Sequence, residues 1–533
     1  MNMGESLRRN ALKFPKKLAV RDERGELTYA ELNARVNHLA NALRGIGLNK
    51  NDHVAVLLGN RSEHVEVLFA LAKAGLVGLP LDPKWRGREI SAAIKFFDVH
   101  GIVTETSAAA AVSDAVSQVE FQGPIVQVGG RSGEAAPDRK GWHWYEDVMV
   151  QASSREPEAE INGTDLFLIM ITSGTTGFPK GCLSTHEKYV LNCLNHALGG
   201  RGSSSDDVEL LVSPLCFNSG RSSALGHLFW GGTIILRERF DPIDVLETIQ
   251  RDRVTYIALA PVAADRLLDA AAARAYDTSS LRHLRKAGSP FHPRTVDGLI
   301  QFITPNIYQS YASTDAGTVS LLLPEEQIHK RGSSGKLIWA AESMIMNDAG
   351  EPVPAGSLGE IVCRGPLVCA GYYKNLQANQ TSFRNGWFLT GDLGYFDEDG
   401  YLYVVGRKKN VIKSGSISIF PEEIQDVLQV HPKVKEAAVV GVQHREWGEA
   451  VIAVISLASG QQSSEQEVIE YCRSRLAPYK APKAVRFLQD LPHTELGKIA
   501  IEEIRTRFKD TFAEKPPGSR EAEATDQERE KNQ

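Results

Sequence analysis

The sequence predicts an α/β protein with a large first domain and a small α+β second one, and three observations predict it. Apolar runs of strand length alternate with amphipathic runs of helical spacing through the first half of the chain. From about Lys336 that rhythm gives way to short alternating strands divided by turn signals. Beyond Gly406 a basic stretch leads into a compact helix, strand, strand, helix pattern.

Residues 30–43 carry apolar side chains at helical spacing, and 53–58 read as a short buried strand. Residues 65–75 return to the helical period, and 77–81 form a second strand ending before Pro83. Strand, helix, strand in this order is the signature of parallel-sheet units. It recurs at 210–214, 233–236 and 256–261. The β-rich part, about 330–405, is punctuated by turns ending at Gly350, Gly356 and Gly400. The first domain therefore spans 1–406. The second, 407–511, is read as helix 421–430, strands 436–442 and 450–457, and helix 465–476. Residues 512–533 are charged and read as a disordered tail.

Composition removes several function classes. The 533 residues include 60 Lys and Arg against 66 Asp and Glu, a net charge of −6. That balance argues against bulk binding to nucleic acid or anionic membrane. No apolar run is long enough to span a membrane, and the first fifteen residues lack the apolar core of a signal peptide. The six cysteines, Cys182, Cys193, Cys216, Cys363, Cys369 and Cys472, form neither a CxxC pair nor a zinc spacing. A reduced, cytoplasmic protein is expected, with its cysteines packed in the interior.

The most informative segment is the apolar run 167–171 followed by Thr172-Ser-Gly-Thr-Thr-Gly-Phe-Pro-Lys-Gly181. Glycines let backbone amides approach an anion, hydroxyls add donors, and Lys180 adds charge. This is a phosphate cradle: Thr172, Ser173, Gly174, Thr175, Thr176, Gly177 and Lys180 are its candidates. It lacks the closing Gly-Lys-Ser/Thr of a Walker loop.

The string resembles the signature loop of the adenylate-forming enzymes, among them acyl-CoA synthetases, peptide-synthetase adenylation domains and firefly luciferase. Further blocks match in the expected order, from about Leu7 to Arg505. The resemblance implies a large domain of two α/β halves plus a β-barrel, then a small mobile domain. It implies Asp392, in Thr390-Gly-Asp392, on the ribose hydroxyls, which one carboxylate can accept together. It implies Arg407 on ribose and phosphates, Lys409 at a hinge, and Gly415 in a loop lining the pantetheine channel. Lys498, in Pro492-His-Thr494-Glu-Leu-Gly497-Lys498, would bridge the acid and the α-phosphate. Gly288 and Ser289 would border adenine.

Two blocks depart from the pattern. In Tyr311-Ala312-Ser313-Thr314-Asp315 the resemblance implies that Tyr311 stacks on adenine and Thr314 meets phosphate. Asp315 stands where a magnesium-holding Glu is usual, one methylene shorter. Ala312 replaces a Gly beside the acyl pocket. At Phe217-Asn218-Ser-Gly-Arg221 a Phe replaces a common His, and Arg221 is either a partner for a second carboxylate or structural.

The implied activity is that of a two-step ligase. A carboxylic acid attacks ATP, with Mg2+, to give acyl-AMP and pyrophosphate; coenzyme A then takes the acyl group. Transfer to the phosphopantetheine thiol of a carrier protein is the alternative acceptor. A degenerate, non-catalytic nucleotide-binding relative is the alternative class. The acid itself and the oligomeric state are not legible.

Overall fold

The computed structural model describes residues 2–129, 141–172, 180–198, 202–288, 291, 293–415, 417–494 and 498–512. The chain forms two compact units, Met1–Thr390 with Tyr395–Val404, and Gly391–Gly394 with Val405–Gln533.

The first unit holds two large sheets. One has seven strands, ordered Trp142–Trp144, Ile125–Val128, Val99–Glu105, His53–Leu57, Val77–Pro80, Leu166–Thr172 and Lys180–Thr185. Its pairings are parallel except the last, Leu166–Thr172 against Lys180–Thr185. The other has nine strands, with a parallel centre running from Ile307–Ser313 through His283–Lys286, Tyr256–Leu259, Val208–Leu211 and Thr233–Leu236 to Leu18–Arg21. Antiparallel strands close both ends. Strands buried on both faces read as continuous apolar runs, and His53–Leu57 and Tyr256–Leu259 are buried at every position.

Helices cover these sheets. Tyr29–Gly45 starts where Thr28 accepts from the Glu31 amide while Glu31 reaches back to Thr28, a reciprocal cap. Ser62–Ala74 is buried at all but one of its positions and ends at Gly75 with φ 71°, a left-handed stop that suits glycine. The β-rich part is an open five-stranded sheet of Glu342–Met346, Gly359–Arg364, Trp387–Phe396, Phe383–Arg384 and Leu402–Arg407. Among the described residues it does not close into a barrel, which corrects that detail of the expected fold. Its end strands, Glu342–Met346 and Phe383–Arg384, are not paired to each other.

The second unit is a five-stranded sheet built on the long hairpin Val434–His444 and Gly448–Leu457. Ile412–Ser414 and Ala484–Phe487 flank the latter strand, and Ile417–Ile419 forms the edge. Helices Pro421–Gln429 and Glu465–Arg473 bury Ile424, Leu428, Val468 and Cys472 against it. Of the expected tail, Phe512 is described and packs beside His444; 513–533 lie outside the described residues.

A buried ionic pair in the nine-stranded sheet gives the first unit a pH signature. Burial alone would hold His227 low, but the Glu209 carboxylate 2.9 Å from Nδ1 outweighs it and pushes the imidazole up to about 9. A raised histidine stabilises fully below its unfolded value, and that contribution is lost as pH rises through the folded one. Urea unfolding midpoints of the first unit should therefore fall between about pH 6.5 and 9. Glu209→Gln should flatten that slope and cost about 3–5 kcal/mol at pH 6, because it strands a buried partner.

Candidate active site

Leu166–Thr172 and Lys180–Thr185 run antiparallel, and Thr172 pairs with Lys180 across them. The turn between, which carries Ser173, Gly174, Thr175, Thr176 and Gly177, lies outside the described residues. The Lys180 ammonium sits 4.7 Å over the Tyr372 ring, a cation–π contact that holds it near the strand end. Tyr372 is delivered by a segment that zips along the same strand. Tyr373 donates its amide to the Gly181 carbonyl at 2.9 Å, and Leu183 donates to Gly371 at 2.9 Å. Gly181 is needed for close approach, since a Cβ there would come within 2.4 Å of the Phe97 ring.

Asp315 lies in the turn after strand Ile307–Ser313, where Ser313 Oγ accepts from the Ala316 amide at 2.9 Å. The Cys369 amide donates to the Asp315 carbonyl at 2.7 Å, which brings the zipped segment to this turn. The sulfurs of Cys182 and Cys369 and a carboxylate oxygen of Asp315 all lie within 4.8 Å of one another, and the Cys182 thiol donates to that carboxylate. Burial pushes the Cys182 thiol well up. Cys369 is lowered, first by its hydrogen bond with Cys182 and, against burial, by the Lys188 cation. Magnesium takes hard oxygen donors, commonly one or two carboxylates together with substrate phosphates. Asp315 fits that use; the two soft thiols beside it do not contribute to it.

The acid-pocket candidates divide. Asn218, at the start of helix Asn218–Trp230, and Thr314 line one small cavity with Ser184, Lys188, Asn192 and Ser222. Met170 and Leu367 add apolar wall. Phe217 is half-buried at the helix cap. Arg221 is fully buried, and its guanidinium donates to the Tyr189 hydroxyl and to the Leu215 and Cys216 carbonyls at 3.2, 3.1 and 2.8 Å. That arrangement makes it a brace for the pocket's floor. Tyr311 is buried within its strand, while Ala312 is exposed beyond a register irregularity. Gly288 follows His283–Lys286 with φ 79°, and Ser289 lies outside the described residues.

Asp392, Arg407, Lys409, Gly415 and Lys498 all belong to the second unit. Gly391, with φ 71°, lies within strand Trp387–Phe396 just before Asp392, which is buried. Arg407 Nε donates to its carboxylate at 2.6 Å. The Arg407 amide is in turn held by the half-buried Glu422, whose carboxyl is raised by loss of surrounding water. Lys409 occupies the turn Lys408–Asn410, 3.7 Å from Glu502. The Gly415 amide donates to the Trp447 carbonyl at 2.7 Å, with φ 62°. Lys498 is clamped by its neighbour Thr494, whose amide donates to its carbonyl at 2.6 Å. Lys498 is an exposed residue, yet its ammonium is lowered from the ordinary lysine value, by loss of surrounding water and then by Arg407, with Asp392 opposing. Two cations and one buried carboxylate thus share a neighbourhood, an arrangement suited to an anionic, hydroxyl-bearing ligand.

Sequence reasoning passed over Ser184, Lys188, Cys182, Cys369 and Tyr372. A signal existed for two of them. On a strand, alternate residues share a face, so Cys182 and Ser184 stand on the same side as Lys180.

Comparison with known proteins adds an independent result. The AMP-binding enzyme family matches residues 7–373, and the AMP-binding enzyme C-terminal domain matches 423–498. A feruloyl-CoA synthase of an Amycolatopsis species is 35% identical over 94% of this chain and 98% of that protein. An indoleacetate–CoA ligase of Aromatoleum aromaticum is 32% identical over 95% and 98%. Among solved structures, ATP-bound MatB from Rhodopseudomonas palustris superposes with TM-score 0.86 at 28% identity, covering 96% of this chain and all of that one. The o-succinylbenzoate CoA synthetase of Bacillus subtilis, with its acyl-adenylate, gives 0.83 at 29% identity over 94% and 97%.

Proposed function

Because this chain belongs to the AMP-binding enzyme family, we infer that it is an ATP-dependent carboxylate–CoA ligase of the AMP-forming, acyl-CoA synthetase type. It activates a carboxylic acid as acyl-AMP, releases pyrophosphate, and passes the acyl group to coenzyme A. The observation that carries the reading is the gathering of Asp392, Arg407 and Lys498 in one unit, on the scaffold of a family that uses ATP and CoA.

The chemistry follows from those groups. In the first step a carboxylate oxygen attacks the α-phosphorus, and the bond to pyrophosphate breaks. Two anions must approach, so the Lys498 ammonium is placed to offset their repulsion and to stabilise charge moving onto the α-phosphate. Asp392 accepts from the ribose hydroxyls, and Arg407 braces it while reaching phosphate. Thr314 donates its hydroxyl to the α-phosphate, and Thr172 and Lys180 flank the turn proposed to cradle the polyphosphate. Tyr311 and Gly288 border adenine. In the second step the CoA thiol, losing its proton, attacks the acyl carbon and AMP leaves. Lys498 serves the first step and the Gly415 segment the second, with Lys409 as the pivot between them.

Asp315 would hold magnesium through one carboxylate, the nucleotide phosphates completing the coordination. When bound, the ion supplies charge neutralisation on the phosphates. Asp315→Glu should retain turnover and lower the magnesium needed for half-maximal rate by roughly threefold, because the longer arm would be freed from Cys182 to hold the ion. A magnesium titration of pyrophosphate release checks this; a large loss of activity would mean that the turn is built around the shorter acid.

The activity is tested with purified protein, ATP, magnesium and a panel of aliphatic, aromatic and dicarboxylic acids, following pyrophosphate and detecting products by mass. Thioester formed only with CoA present is the expected result. Adenylate without thioester would point to a carrier-protein thiol. Silence across the panel with ATP still bound would overturn the ligase reading.

A further inference from the structure

Building on that ligase reading, we propose that Lys188 and Ser184 form an anion-recognition subsite in the acid pocket, and that the substrate is a compact acid bearing a second carboxylate. The two residues come from adjoining elements, strand Lys180–Thr185 and helix His186–Leu198, four positions apart. Both line the cavity that Thr314 and Asn218 also line, entirely within the first unit.

Two observations point to an anion. The Lys188 ammonium is buried and has no hydrogen-bond partner, and the Ser184 hydroxyl, on a fully buried residue, has none either. An ammonium offers three donors and no acceptor, and an unmet buried cation is costly. The other polar walls are already engaged: Asn192 donates to Ser222 at 2.7 Å, and Tyr189 contacts Asn218 and Arg221. Lys188 and Ser184 are therefore the buried donors of this cavity left without a partner, one of them charged. A neutral acyl chain would leave both unmet.

The nearby acidic groups do not answer the need. Cys369, Cys182 and Asp315 each favour the charged form of Lys188 without hydrogen-bonding its ammonium, no carboxylate among the described residues pairs with it, and Asp315 is engaged by Cys182. Arg221, the other cation close by, is spent on Tyr189 and two carbonyls. Burial accordingly lowers Lys188 from the ordinary lysine value, and a carboxylate arriving beside it would restore the charged form. Thr314 borders the same cavity, of about 30 Å³, so a short diacid that presents its reacting carboxylate there and its second carboxylate to Lys188 would have to open it on binding.

The test compares matched acids of equal length, each dicarboxylic acid against its own half-amide, in aliphatic and aromatic series. The readout is the ratio of kcat/KM values for pyrophosphate release within each enzyme, so a folding defect cancels. Wild type should favour the diacid by about 10²-fold, the scale of a desolvated charge pair. Lys188→Met should abolish that preference, Lys188→Arg should keep part of it, and Ser184→Ala should cut it several-fold. Half-amides used as well as diacids by the wild type, or a ratio unchanged in Lys188→Met, would overturn the subsite while leaving the ligase activity standing. If Lys188→Met does not fold, the wild-type ratio and Ser184→Ala decide alone. No pyrophosphate from any acid would instead remove the ligase reading, and this inference with it.

Discussion

Lys498→Ala should lower the rate of acyl-adenylate formation by ~10²–10³-fold, the range for removing one preorganised electrostatic donor from a transition state. Thioester formation from a supplied acyl-adenylate and CoA should stay within about threefold of wild type. The asymmetry follows from the charges in each half-reaction. The first brings a carboxylate against a polyphosphate, and its transition state concentrates negative charge between them. The second joins a thiol to an activated acyl group and expels AMP, with no second anion approaching phosphorus. Lys498 is tied to its loop by Thr494 and lies near Arg407 and Asp392, so truncating it removes a positioned cation and little packing. The loss should appear in kcat and kcat/KM together, as for an interaction realised mainly in the transition state. Measuring both half-reactions separately on the same preparation decides the matter. Equal losses in the two would mean that Lys498 serves throughout, and the division of labour with the Gly415 segment would fall.

Much of the fold was legible because its elements are locally encoded. The helix expected at 30–43 is Tyr29–Gly45, and the strand at 53–58 is His53–Leu57, since continuous burial in a parallel sheet leaves an uninterrupted apolar run. The small unit's four expected elements are present for the same reason, with ends shifted by at most three residues where caps and turns decide. Less legible was what depends on distant pairing. Nothing local says that Cys369 will donate to the Asp315 carbonyl or that Tyr372 will lie under Lys180, because those contacts are made by a segment more than fifty residues beyond Asp315 and nearly two hundred beyond Lys180. Arg221 shows the limit from the other side. Its chemistry allowed either a ligand or a brace, and only the carbonyls of Leu215 and Cys216 around it decide for the brace. Lys188 was invisible in sequence because a lysine opening a helix is ordinarily a solvated residue.

Asp392→Asn should act on the other term of catalysis, raising KM for ATP by about 10²-fold with a smaller change in kcat. Asp392 is buried and paired with Arg407, so the amide both loses the charge that Arg407 neutralises and turns a donor toward a cation. Arg407 is half-exposed, so the loss is that of a charge-assisted hydrogen bond, about 1.5–3 kcal/mol, at tenfold per 1.4 kcal/mol. If the carboxylate serves the ribose, the cost falls on ground state and transition state alike, because the ribose is remote from the bonds that change. Uniform binding lost in this way appears in KM. A purely structural salt bridge would also weaken ATP binding, so a second comparison is needed. Wild type should prefer ATP to 2′-deoxy-ATP, because a carboxylate left with one hydroxyl forfeits a charge-assisted hydrogen bond. In Asp392→Asn that preference should shrink toward unity, the two changes coupling as partners in contact do. A preference for ATP that survives the substitution intact would place the ribose elsewhere and leave Asp392 as a brace for Arg407 alone.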